Sequence, residues 1–184
     1  MARRLRPVGL EFVDSAPVRL VFVREVSAPP EAVYHALAED VTGWPRWFTA
    51  VTLCRPTGGG TGREVRLKGG TRFQESILAA DGPVRYTYRV DETNAPGLRA
   101  LVEEWRLAPA RAETTGTAGT TGAEATGPAG TTGADATGTR VQWTFAMDGT
   151  APLRGAMRLV RPGLGRSFRD AVTALDRQLA AAGA

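Results

Sequence analysis

The stretch Pro152–Ala182, PLRGAMRLVRPGLGRSFRDAVTALDRQLAAA, decides how the rest of the chain has to be arranged. Its apolar residues Leu153, Met157, Val160, Leu164, Phe168, Val172, Leu175 and Leu179 recur at steps of three or four, the spacing that lays one stripe down an α-helix. Arg158, Arg161, Arg166, Arg169, Asp170 and Arg177 fall off that stripe. No other segment can make a long helix, and the remainder reads mostly as short strands, so the expected architecture is one sheet folded around this helix on its concave side. Gly155, Pro162, Gly163 and Gly165 interrupt the stripe. Proline removes a helical hydrogen bond and glycine loosens the backbone, so a kink is expected near Pro162, in a helix that gates a cavity as well as filling a groove.

The segment before the helix, Thr139–Met147, alternates cleanly: Val141, Trp143, Phe145 and Met147 share one face, and Arg140, Gln142 and Thr144 the other. Leu98–Leu107 reads as a strand that ends before Pro109. Val84–Val90 alternates with Val84, Tyr86, Tyr88 and Val90 on one side. Arg63–Lys68 and Arg72–Ala79 are strands joined through Gly69 and Gly70, and Val51–Arg55 is a further candidate. Val18–Val26, rich in β-branched residues, opens the domain as a strand with a buried middle.

Ser27–Glu31 (SAPPE) starts a helix running to about Glu39, since proline is tolerated in the first turn and a carboxylate there meets the positive helix end. Glu31 and Glu39 flank His35 at four-residue spacing, so His35 is expected to be exposed and ion-paired. Pro45 can begin a second short helix, placing Trp44, Trp47 and Phe48 where they must find apolar partners.

Between the last two strands lies a Thr, Gly and Ala tract, residues 110–138, in which GTTGAEATG at Gly119 returns as GTTGADATG at Gly130. It carries no large apolar residue with which to stack repeats and too little apolar surface to offset its own ordering entropy, so it reads as a disordered loop insertion. The expected organisation is a basic N-terminal arm, residues 1–16, followed by one domain over residues 17–184.

The totals narrow the chemistry. With one cysteine (Cys54) and one histidine (His35), the chain has neither a disulfide framework nor a His/Cys metal site; no metal and no cofactor are expected. There is no signal-peptide pattern and no run of about eighteen apolar residues, so a cytoplasmic protein without membrane insertion is expected. The net charge is +4, and the basic residues are nearly all arginines spread along the chain. Nucleic acid is therefore not an expected partner, and a monomer or weak dimer is.

VREVSAPPEAVYHALAEDVTGWPRWF (Val23–Phe48), FQESILAADGPVRYTYRV (Phe73–Val90), GTRVQWTF (Gly138–Phe145) and the striped terminal helix occur in an order that resembles the START-related SRPBCC superfamily, in particular its polyketide cyclase/dehydrase and lipid transport family. The resemblance spans nearly the whole chain outside the Thr-Gly-Ala tract. It implies an α+β helix-grip fold, a curved antiparallel sheet of six or seven strands around a long C-terminal helix, with an apolar cavity between them. It does not imply one activity, because members include aromatic polyketide cyclases, lipid and hormone carriers, quinone-binding proteins and ribosome-associated toxins.

Such a cavity would be lined by Phe73, Tyr86, Tyr88, Trp105, Val141, Trp143 and Phe145, capped by Trp44, Trp47 and Phe48, and floored by Met157, Leu164 and Phe168; packing as core is the alternative for each. Glu75 lies between Phe73 and Ile77, and Glu103 between Leu101 and Trp105, so both carboxylates point with apolar neighbours. A buried carboxylate is either ion-paired or has a raised pKa, which makes Glu75 and Glu103, with Tyr86 and Tyr88, candidate proton-handling groups. A two-residue Gly69-Gly70 turn places Arg66 diagonal to Glu75 as its ion-pair partner, yet puts Val65 and Leu67 on the other face of the sheet from Phe73, so a sandwiched strand or a shifted pairing is also open. The family's aromatic cyclases use an arginine and tyrosines near their pocket, and no stretch here aligns with that constellation. The leading expectation is binding of a hydrophobic small molecule, with a polyketide cyclase or dehydratase second and a ribosome- or protein-interacting regulator third.

Overall fold

Seven of the alternating segments join one antiparallel sheet in the computed structural model of the chain, which describes residues 2–110 and 138–183. The strands are β2 (Val18–Val26), β3 (Val51–Thr57), β4 (Gly62–Leu67), β5 (Arg72–Asp81), β6 (Arg85–Thr93), β7 (Leu98–Pro109) and β8 (Thr139–Gly149), ordered β2-β8-β7-β6-β5-β4-β3. An eighth, β1 (Arg3–Arg4), pairs with Thr93 and Glu92 of β6. Register shifts at Val51/Leu53, Gln74/Glu75, Ile77/Ala79 and Leu98/Ala100 break the ladders. An extra residue on one strand bends it and increases its twist, which lets the sheet wrap. Helix α5 (Arg161–Ala182) buries Gly165, Phe168, Ala171, Val172 and Leu175 in the concave face: the helix-grip arrangement.

The kink expected near Pro162 falls at Val160, where α4 (Ala151–Leu159) ends and α5 begins with Pro162 in its first turn. Gly165 serves packing rather than looseness, since a Cβ there would stand 3.0 Å from the Phe22 ring. Helix α2 (Pro30–Tyr34) continues as a π-helical turn, His35–Glu39, closed by the Asp40 N–H on the His35 carbonyl at 2.8 Å. His35 is exposed and pairs with Glu39 through Nδ1 at 2.7 Å. The β2 strand is buried at Val18, Leu20 and Val26, whereas Val23 in its middle is exposed, as befits an edge strand. Val84, expected to share the tyrosine face, lies in the turn before β6 and is 58% exposed.

Beyond β1 the chain crosses to the sheet's outer face. Helix α1 (Phe12–Ser15) and Val8 pack there on Ala100, Val102 and Ala146, so β7 is buried on both sides. Of the Thr-Gly-Ala tract, residues 111–137 lie outside the described residues; its flanks are joined by the Ala110 N–H donating to the Gly138 carbonyl at 2.9 Å.

The β4–β5 turn settles the register. Leu67 donates its N–H to the Thr71 carbonyl at 2.8 Å, so the connection holds three residues, Lys68 to Gly70, and not two. Both Gly69 and Gly70 have φ of +86°, a conformation open to glycine and strained for other residues. Val65 therefore faces Phe73, and Arg63 faces Glu75. The expected Arg66–Glu75 contact does not form; Arg66 turns to the outer face, where its Nε meets Glu64 at 2.8 Å.

Candidate ligand cavity

Between α4, α5 and the inner sheet face lies a cavity of about 370 Å³. Its wall is formed by Arg63, Val65 and Leu67 of β4, Phe73 and Glu75 of β5, Tyr88 of β6, Leu98, Leu101 and Glu103 of β7, and Trp143, Phe145 and Met147 of β8. Trp44, Phe48 and Val51 close one side, and Leu164 and Ser167 come from α5. Thr71, Ala95, Pro96, Leu153 and Met157, all partly or fully exposed, form the rim. Gly97, with φ of +78°, turns the β6–β7 loop back toward Thr150 and Leu153 at the start of α4.

Trp44, Phe48, Phe73, Tyr88, Trp143, Phe145, Met157 and Leu164, all expected to line a cavity, do so, as do Glu75 and Glu103. Trp47, Trp105 and Phe168 do not reach it. Trp47 stacks on Phe48 and meets Trp105 edge-on, and Phe168 stacks on Trp143, so these three form the core that supports the wall. Tyr86 turns instead to a separate depression of about 240 Å³ shared with Val41, Thr42, Ile77 and Ala80.

The polar groups are concentrated on one buried part of the wall. Arg63, 1% exposed, donates Nε to Glu75 Oε2 at 2.5 Å. Its guanidinium lies 4.1 Å from the Trp44 ring centroid and 3.8 Å from that of Tyr88. A desolvated cation between two aromatic faces is held by their negative π-surfaces. Arg63 Nη1 has no hydrogen-bond partner among the described residues. A buried, unpaired donor on a cavity wall is costly unless something else accepts from it. Arg63 was not foreseen as a site residue; the signal was the spacing Arg63, Val65, Leu67, which the wrong turn length turned to the opposite face.

Glu103 stands directly opposite Tyr88 in the β6–β7 ladder. Its Oε2 accepts from the Tyr88 hydroxyl and from Trp143 Nε1, each at 2.9 Å, and Trp105 Nε1 donates to the Tyr88 hydroxyl at 3.1 Å. Burial, with the charge of Glu75 added, pushes the Glu103 carboxyl up to about 7. Glu75 is raised by burial, an effect that Arg63 opposes. Burial lifts Tyr88 well above the usual phenol range, which keeps its proton on the hydroxyl. The wall therefore offers a fixed cation, a carboxyl able to gain or lose a proton near neutral pH, and a phenol donor. Cys54 is buried in β3 with its thiol pushed up to about 11, an environment for packing rather than attack. Among the described residues no cluster of three or more His, Cys, Asp or Glu could share a metal ion.

Arg63 thus lies against Tyr88 on the cavity wall, with Tyr86, which faces the other depression, 5.5 Å away. The sequence model of the family described as polyketide cyclase / dehydrase and lipid transport matches residues 17–180. An uncharacterized protein of Mycobacterium tuberculosis is 27% identical over 175 residues, 92% of this chain and 89% of the relative. A START superfamily protein from Mycobacterium smegmatis superposes with a TM-score of 0.60 at 13% identity, over 88% of this chain and 96% of that one. The di-domain ARO/CYC BexL from the BE-7585A biosynthetic pathway gives a TM-score of 0.60 at 14% identity, over 87% of this chain and 45% of that one. At such identities the two structures show a shared fold.

Proposed function

Because the chain belongs to the polyketide cyclase/dehydrase and lipid transport family, we propose that its cavity binds a hydrophobic small molecule carrying an oxygen acceptor at one end. One observation carries this reading: apart from Thr71 at the rim and Ser167 of α5, the polar side chains of the apolar wall are Arg63, Glu75, Tyr88 and Glu103, where the buried Arg63 Nη1 lacks a partner among the described residues. Apolar pockets with a few convergent polar groups suit ligands that are oriented by one end and buried along the rest. Glu75 already neutralises the Arg63 charge. A neutral acceptor such as a carbonyl or phenol oxygen fits better than a carboxylate, which would add a third acid beside Glu75 and Glu103.

Native mass spectrometry of the protein purified from its source tests the proposal. The expected result is a co-purifying lipid, polyketide or other aromatic molecule, lost when Leu164→Trp fills the cavity. Repeatedly empty protein, with no uptake of a fluorescent apolar probe, would refute it.

The state of Glu103 favours a second reading, proton transfer to a bound polyketide as in a cyclase or dehydratase. A general acid or base works best with a pKa near the operating pH, and Glu103 has one. Under this reading Glu103→Gln abolishes turnover and leaves ligand affinity largely intact. Under the binding reading it changes neither release nor the chemical identity of the ligand.

A further inference from the structure

The terminal helices leave one surface that neither the cavity nor the core explains. Leu159 is 83% exposed and Val160 48%, side by side where α4 gives way to α5. On α4 the residues Leu153 and Met157 line the cavity. At about 100° per residue, Leu159 stands ~200° round the helix from Met157, away from the cavity. Arg158 and Arg161 flank the pair and are exposed, as are Arg166 and Arg169 one to two turns further on.

The charge here is of one sign. Residues Ala151 to Arg169 contain five arginines and no acidic residue. These five account for the whole of the chain's net charge of +4, since the other 18 basic residues stand against 19 acidic ones. Of the five, Arg154 is tied to Asp148 at 3.2 Å. Arg158 and Arg161 directly flank an apolar pair that water solvates poorly.

We propose that the α4–α5 junction docks on an anionic lipid surface, with Leu159 and Val160 entering the headgroup boundary and Arg158, Arg161 and Arg166 meeting lipid phosphates. Basic residues ringing an apolar tip are the pattern of helices that lie in the membrane interface, where apolar burial and attraction to anionic lipid add together. A second copy of the chain is a poor occupant, because an isologous contact would press the same arginines against each other. Nucleic acid is a poor one as well: an exposed Leu-Val pair has no stacking or base-edge role, and no aromatic residue accompanies it on this surface. The rim residues Leu153 and Met157 belong to the same helix as Leu159, so docking brings the cavity mouth to the bilayer. That consequence rests on the cavity holding a hydrophobic ligand; the docking itself does not.

Sedimentation of the full-length, ligand-free chain with vesicles tests the docking alone. The chain is expected to pellet with phosphatidylcholine vesicles containing phosphatidylglycerol, to stay in solution with phosphatidylcholine alone, and to be released by salt. Arg158→Gln with Arg161→Gln should weaken partitioning about 25-fold, at roughly fivefold per arginine. Leu159→Asp should weaken it about tenfold or more. Both variants change exposed side chains, and thermal melting confirms that they fold. No pelleting, equal pelleting with neutral vesicles, or unchanged pelleting of both variants overturns the proposal. Self-association abolished by Leu159→Asp, without vesicle binding, overturns it too and assigns the surface to a second copy. Ligand occupancy is measured separately, so failure of docking leaves the cavity reading standing, and an empty cavity leaves docking standing.

Discussion

Arg63→Met isolates the central electrostatic feature of the wall, because methionine keeps much of the arginine stem and removes the charge. The Arg63 and Glu75 side chains are each 2% exposed. Removing one partner of such a pair leaves the other buried without compensation, at a cost of about 3–5 kcal/mol. That is a large part of the roughly 5–15 kcal/mol by which domains are stable. The cost depends on pH with a definite sign. Without Arg63, burial and the charge of Asp91 raise the Glu75 carboxyl further above its unfolded value. Between the two values the folded chain holds a proton that the unfolded chain has lost, so stability falls as pH rises through that window. Urea unfolding followed by tryptophan fluorescence at about pH 5 and about pH 8 measures this as the difference from wild type at each pH. The variant is expected to lose the full 3–5 kcal/mol at the higher pH and clearly less at the lower one. Arg63→Met combined with Glu75→Met, which removes both charges, should recover most of the loss. A pH-independent loss, or a double variant less stable than the single one, would refute the claim that an uncompensated Glu75 charge is what costs.

Two further outcomes follow from the same region. In the wild type, Glu103 is raised to about 7 by burial and by Glu75, against an unfolded value of about 4.3; stability should decline by roughly 4 kcal/mol as pH rises through that interval. Glu103→Gln, which cannot ionise, should flatten this part of the urea-midpoint profile, and an unaltered slope would show that Glu103 does not titrate there. Gly97→Ala forces alanine to φ of +78° with its Cβ 2.9 Å from Thr150 Oγ1, at about 1–2 kcal/mol. Melting should drop by roughly 2–8 °C, whereas an unchanged melting temperature would mean that the β6–β7 loop refolds around the new side chain.

Much of the architecture was legible because it follows from local periodicity. The Leu153–Leu179 stripe and the Val141–Met147 alternation each determine which face is apolar, and a sheet and helix with one apolar face each have to pack together. Glu75 and Glu103 could be recognised as buried for the same reason: each has apolar residues two positions to either side. Pro162 signalled the helix break to within two residues, at Val160.

What local pattern could not supply was pairing and depth. A Gly-Gly pair is compatible with a two- or a three-residue turn, and the difference of one residue replaces an Arg66 diagonal to Glu75 with Arg63 directly opposite it. Strand alternation assigned Trp105 and Trp143, and the helical stripe Phe168, alike to the inner side. Only the curvature of the sheet decides that Trp143 reaches the cavity while Trp105 and Phe168 pack behind it. The Glu103–Tyr88–Trp143 cluster joins three strands, and the contacts of Arg63 with the Trp44 and Tyr88 rings join β4, β6 and the short helix α3, Trp44–Trp47. The sequence by itself determined that this chain folds a sheet around its last helix and buries acids in it. Which charges meet, and which of them face the cavity, was decided by tertiary structure, because cross-strand register and sheet curvature are set by contacts between residues far apart in the chain.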